Sequence, residues 1–101
     1  MYKNLLELLI NFEWDDGNLH KNRRKHGISA QEAEEVFVNN PFIMMDDIKH
    51  SVIEKRYHAL GTTNEGKKLS VCFTIRERSI RIISARIMSK KELAIYVKTE
   101  K

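Results

Sequence analysis

A chain of 101 residues holds one domain with a single modest core, and with 42% apolar residues, one Pro and four Gly it has no low-complexity linker. Eighteen Lys and Arg against fourteen Asp and Glu leave a net charge of +4, which suits an anionic partner without requiring one. The single cysteine excludes an intrachain disulfide and suits a reducing cytosol, and no run approaches the roughly 18 apolar residues that span a bilayer. The expectation is one soluble, cytoplasmic domain over residues 1–101, without a membrane partner.

The opening MYKNLLELLI has no basic segment followed by a small-residue cleavage site, so it does not read as a signal peptide. Asn4 with Glu7 resembles a capping arrangement for a short helix, and Phe12 and Trp14 suit a strand that follows. Residues 15–26 read as a helix. Asp15 or Asp16 is its N-cap, Lys and Arg fill the last turns where the helix dipole favours cations, and Gly27 stands where a left-handed residue ends helices. Leu19 is its one large apolar residue, so this helix buries little and its basic surface is open to a ligand.

Ser29 with Glu32 is a capping box for a second helix, whose stripe is Ala30, Ala33, Val36 and Phe37 and which Asn40-Pro41 ends. FIMM (42–45) and SVIEKRYHALG (51–61) read as strands, and NEG (64–66) as a hairpin turn. LSVCFTI (69–75) alternates, with Leu69, Val71, Phe73 and Ile75 on one face. A tight turn near Glu77-Arg78 leads to the strand SIRIISARIM (79–88). A second capping box, Ser89 with Glu92, opens a C-terminal helix expected to bury Leu93, Ala94, Ile95 and Val97. The fold class is α+β: a mainly antiparallel sheet of about four strands, two N-terminal helices and a C-terminal helix.

If Arg76 and Ser79 flank a two-residue turn, Thr74 pairs with Arg81 and Phe73 with Ile82, so Thr74, Arg76 and Arg81 share a face. Glu54, Arg56 and His58 share a face of the preceding strand. Together they make a cationic platform with one carboxylate, although solvated charge on a one-sided sheet explains the same pattern. The turn lacks the Gly or Asn that tight hairpins favour, and the register sends Arg86 to the opposite face. The Lys21–Lys25 cluster likewise serves the helix dipole, but two basic clusters with His, Tyr and Trp among them point toward nucleic acid. Phosphates need cations, and unstacked bases need aromatic or guanidinium planes. His20, His26, His50 and His58 lack ligand spacing and a Cys pair, so no metal is expected. Cys72 reads as a buried small hydrophobe and Trp14 as a core anchor, and without a P-loop or GxGxxG no cofactor is implied.

FEWDDGNLHKNRRKHGIS followed by EAEEVF, and later HSVIEKRYHALGTTNEGKKLSVCFTIRERSIRIISARIMSKKE, resembles the BrnT family of ribonuclease toxins from bacterial type II toxin–antitoxin pairs. The resemblance runs from about Phe12 to Glu92; residues 1–11 lie outside it and read as an N-terminal extension or an alternative start. It implies a RelE-like fold with a small twisted sheet and metal-independent endoribonuclease activity that inhibits translation. It also implies a hetero-oligomer with a BrnA-like ribbon-helix-helix antitoxin, through which operator DNA is reached. The family's Lys-His-Gly element falls on Lys25, His26 and Gly27, its Glu-x-Arg on Glu54 and Arg56, and its paired arginines on Arg81 and Arg86. On this basis Lys25, His26, Glu54, Arg56 and Arg81 are the candidate catalytic residues, and Arg23, Arg24, Arg76 and Arg86 the candidate RNA-binding ones. Many members have Gly in the hairpin where this chain has Glu77-Arg78, and some carry Lys where Asn18 stands. A non-catalytic nucleic-acid-binding or co-repressor module is the alternative, and a purely protein-binding basic surface is the third.

Overall fold

A computed structural model describes residues 11–50 and 54–99, so the short helix expected around Asn4–Glu7 lies outside the described residues. In chain order they form β1 (Asn11–Trp14), α1 (Asp16–His26), α2 (Ala30–Glu35), β2 (Ile43–Asp46), a 3-10 turn (Ile48–His50), β3 (Tyr57–Thr62), β4 (Lys68–Arg76), β5 (Ser79–Ile87) and α3 (Lys90–Val97). The caps are those the sequence predicts. Asp15 Oδ1 accepts from the N–H groups of Gly17 and Asn18, and Gly27 ends α1 at φ 69° with its own N–H on the Arg23 carbonyl. Ser29–Glu32 and Ser89–Glu92 both close reciprocal capping boxes.

Strands β2 to β5 form the expected antiparallel meander, but the sheet has five strands in the order β1-β5-β4-β3-β2. The expectation of about four, mainly antiparallel strands is corrected by β1, which runs parallel to β5 at its outer edge and makes the sheet mixed. Phe12 and Trp14 give this strand an inward side that packs on the main core. On the same sheet face sit Ala59, Leu69, Val71, Phe73, Ile80, Ile82 and Ala85, covered by Ala33, Val36 and Phe37 from α2 and the turn after it. The Phe37 ring meets Phe73 edge-on at 5.0 Å and lies 5.5 Å from Phe12.

Three other expectations are revised. Of the strand expected over 51–61, residues 51–53 lie outside the described ones and Glu54–Arg56 form a loop, so that β3 begins at Tyr57; the Asp47 N–H donates to the Arg56 carbonyl at 2.9 Å. Helix α3 buries Tyr96 with Leu60 and Met88, whereas Leu93, Ile95 and Val97 stay about 40% exposed and Ala94 is exposed as well. The Tyr96 hydroxyl explains the choice of face: it donates to the Pro41 carbonyl and hydrogen-bonds Thr62 Oγ1, both at 2.7 Å. The third concerns Arg86. Glu77 and Arg78 do make a two-residue turn, at φ 47° and 77°, so Arg76 faces Ser79, Thr74 faces Arg81 and Phe73 faces Ile82 as expected. A β-bulge then intervenes, because Cys72 pairs with Ser84 rather than with Ile83. That one-residue shift turns Ala85 into the core and brings Arg86, opposite Ser70, onto the face that carries Arg81.

Candidate nucleic-acid interface

The second face of the sheet is polar, and its strands carry three of the nine candidate residues, Arg76, Arg81 and Arg86. Ser70, Cys72, Thr74 and Arg76 come from β4, Arg81, Ser84 and Arg86 from β5, and His58 from β3. Thr74, fully buried, donates its hydroxyl to the Lys55 carbonyl at 2.6 Å and so ties the loop carrying Glu54 and Arg56 to the sheet. Glu54 is gripped by Arg76 through two hydrogen bonds, Nε to Oε2 at 2.6 Å and Nη2 to Oε1 at 3.1 Å. The Arg76 hydrogen bond, joined by the charges of Arg81 and Arg56, holds the Glu54 carboxyl below its usual range despite some desolvation. Arg81 in turn reaches Asp15 at 3.5 Å, so the carboxylate that caps α1 also positions an arginine of the sheet.

Further along β5, Arg86 makes a two-pronged pair with Glu92, at 2.7 and 3.0 Å. Glu92 also accepts from the Ser89 N–H and from the Ser70 hydroxyl. Partial burial works to raise the Glu92 carboxyl, but Arg86 and the Ser89 N–H outweigh it and bring it down to about 2.

Beside Arg86 the end of α1 opens a cleft of about 410 Å³ lined by Asn18, Lys21, Lys25, His26, Ile83 and Ser84 among others. Arg23 and Arg24 are exposed on the same helix. The candidates therefore fall into two groups on one side of the sheet. Glu54, Arg56, Arg76 and Arg81 lie at one end, and Lys25, His26 and Arg86 at the other, with roughly 15 Å of strand β5 between Arg81 and Arg86.

Sequence reasoning missed three supports. Asn22, only 4% exposed, accepts from the Ala85 N–H at 2.7 Å and donates to the Ile28 carbonyl at 3.3 Å, fastening α1 to the bulged part of β5. The signal was a polar residue one turn before the helix end that caps nothing. Asp47 pairs with the His58 ring at 3.1 Å, next to Cys72, and only the register brings these three together. Glu92 was read as a cap alone, because its pairing with Arg86 depends on the bulge. No helix among the described residues is long and apolar enough to cross a membrane.

The fold is similar to that of the Brucella abortus ribonuclease toxin BrnT, known from a 1.1 Å crystal structure, with a TM-score of 0.60 and 23% identity over 80% of this chain and 99% of that one. No curated protein matches the sequence. The family model described as "Ribonuclease toxin, BrnT, of type II toxin-antitoxin system" matches residues 14–92, which include both basic groups and the loop between β2 and β3. This chain belongs to the BrnT family of ribonuclease toxins of type II toxin–antitoxin systems.

Proposed function

We propose that the chain cleaves RNA without a metal ion on the arginine-bearing face of its sheet, inhibiting translation in the cytoplasm. In the same proposal a BrnA-like ribbon-helix-helix antitoxin silences it by covering that face and carries the pair to operator DNA. Kinship with the wider RelE-like toxins belongs to this reading as well. The observation that supports it most is the Glu54 carboxylate set among Arg76, Arg81 and Arg56. Metal-free cleavage uses the ribose 2′-hydroxyl as nucleophile, so the protein supplies a base and cations for the phosphorane, and the departing 5′-oxygen takes its proton from solvent water. Glu54, kept ionised by its neighbours, takes the 2′-hydroxyl proton once a phosphate draws Arg76 away from it. Arg56 and Arg81 hold the charge that develops on phosphorus, and Arg76 keeps the backbone in line. Lys25, His26 and Arg86 grip the flanking strand in the α1 cleft, with Arg23 and Arg24 beside them.

The cleft itself favours a second reading, in which His26 is the acid or base, Lys25 and Arg86 stabilise the phosphate, and Glu54 only orients Arg76. Cleavage of a fluorescent RNA in EDTA distinguishes the two. Glu54→Gln and Arg81→Ala are expected to slow the single-turnover rate by about 100-fold, and His26→Gln by much less. The reverse order moves the reaction to the cleft. Salt-sensitive RNA binding with no cleavage by the unaltered chain makes it a non-catalytic co-repressor module.

A further inference from the structure

His58 and Cys72 are direct register partners on β3 and β4, on the polar face of the sheet. Asp47, just beyond β2, brings Oδ2 to 3.1 Å from His58 Nε2. An imidazole nitrogen, a thiol sulfur and a carboxylate oxygen of these three residues all lie within 4.8 Å of one another. Asp47 and Cys72 are each 8% exposed, whereas the His58 side chain is 27% exposed, so the cluster opens to solvent past the imidazole. We propose that Asp47, His58 and Cys72 form a binding site for a thiophilic divalent cation, zinc foremost, with its fourth position open to water.

The donor set decides the class of ion. Sulfur with nitrogen and one oxygen suits zinc and cobalt(II), while magnesium and calcium take oxygen ligands. The size fits too. Tetrahedral zinc with bonds of about 2.0–2.3 Å sets neighbouring ligand atoms about 3.3–3.6 Å apart. The Asp47–His58 edge is already that short, and the sulfur has about 1 Å to close, within reach of a side-chain adjustment. The supports are fixed: His58 and Cys72 stand on paired central strands, and the Asp47 N–H is held by the Arg56 carbonyl. Ser70 Oγ lies 3.5 Å from His58 Nδ1 and donates to Glu92 at 3.2 Å, an outer contact that orients the ring with Nε2 toward the cluster.

Binding is balanced in charge and protons. The ion displaces the thiol proton and, when present, the proton on Nε2, and both go to solvent. The Cys72 thiolate and Asp47 carboxylate then offset the charge of the ion. Burial and the Asp47 charge push the Cys72 thiol up, so affinity falls as pH drops. Proposed RNA cleavage uses none of these three groups, so the metal test and the ribonuclease test fail independently.

The test is titration of the chelator-treated full chain with cobalt(II) and then zinc. A single ion per chain is expected, with a thiolate-to-cobalt charge-transfer band that zinc abolishes. Cys72→Ser removes the band, and Cys72→Ser and His58→Gln each weaken zinc binding by about tenfold or more, while His20→Gln changes nothing. Circular dichroism checks that the variants fold, and should they not, the cobalt spectrum of the unaltered chain decides alone. Zinc bound equally well by all variants, or a cobalt spectrum without the sulfur band, overturns the site and leaves Asp47–His58 as an ordinary part-buried hydrogen-bonded pair with a thiol packed beside it.

Discussion

Replacing Glu92 by Gln cuts the joint between α3 and the sheet without changing its shape. Gln still fits the capping box, so the loss is the charge that Arg86 grips at 2.7 and 3.0 Å. The carboxyl falls from an ordinary 4.5 to about 2 in the folded chain. A folded value below the unfolded one means stabilisation that is complete above about pH 4.5 and disappears as pH falls toward 2. At about 1.36 kcal/mol per pH unit, that drop corresponds to about 3 kcal/mol. The Arg86 side chain is 40% exposed, and solvent screening reduces the figure to about 2 kcal/mol. Urea denaturation followed by circular dichroism measures it directly. At pH 7 Glu92→Gln is expected to unfold with about 2 kcal/mol less stability, and at pH 3 the gap shrinks to about 1 kcal/mol. Equal stability at pH 7, or a gap that ignores pH, would mean that the Arg86–Glu92 pair does not stabilise the fold.

Two further substitutions probe the hairpin and the bulge. Arg78→Gly puts the residue that favours positive φ at a position where φ is 77°, and is expected to raise stability by about 1 kcal/mol, seen as a higher melting temperature. Asn22→Ala strips the Ala85 N–H of its acceptor in a buried place and is expected to cost about 2 kcal/mol, with faster hydrogen exchange at Ala85.

Much of the fold was legible because local chemistry announces it. Ser29–Glu32, Ser89–Glu92 and the Asp15 to Gly27 span mark helix ends whatever the rest of the chain does. The β4–β5 pairing was legible near the turn, where Thr74 meets Arg81, and failed beyond it because alternation was carried straight through a bulge. The switch from Ile80 and Ile82 inward to Ala85 inward is visible in the residues, yet IRIISARI has apolar residues at both parities around the break, so no single shift stood out. Helix α3 misled in another way. Its aliphatic residues stay exposed, and Tyr96 is buried because two hydrogen bonds wait for its hydroxyl on Pro41 and Thr62, both distant in sequence. Of the candidate site, the shared face of Thr74, Arg76 and Arg81 was legible, whereas Arg86 was sent to the other face and Glu54 and Arg56 were expected on a strand rather than in a loop. The division into a Glu54 group and a Lys25–His26 group was not legible, since it rests on ion pairs with Asp15 and Glu92 and on a helix docked through Asn22.

If this face cleaves RNA through the ribose hydroxyl with no metal, the ends of the products show it most directly. Purified chain incubated with a defined RNA in EDTA is predicted to yield fragments ending in a 2′,3′-cyclic phosphate and beginning with a 5′-hydroxyl. Fragments carrying 5′-phosphates, or cleavage that occurs only when a divalent cation is restored, would contradict it.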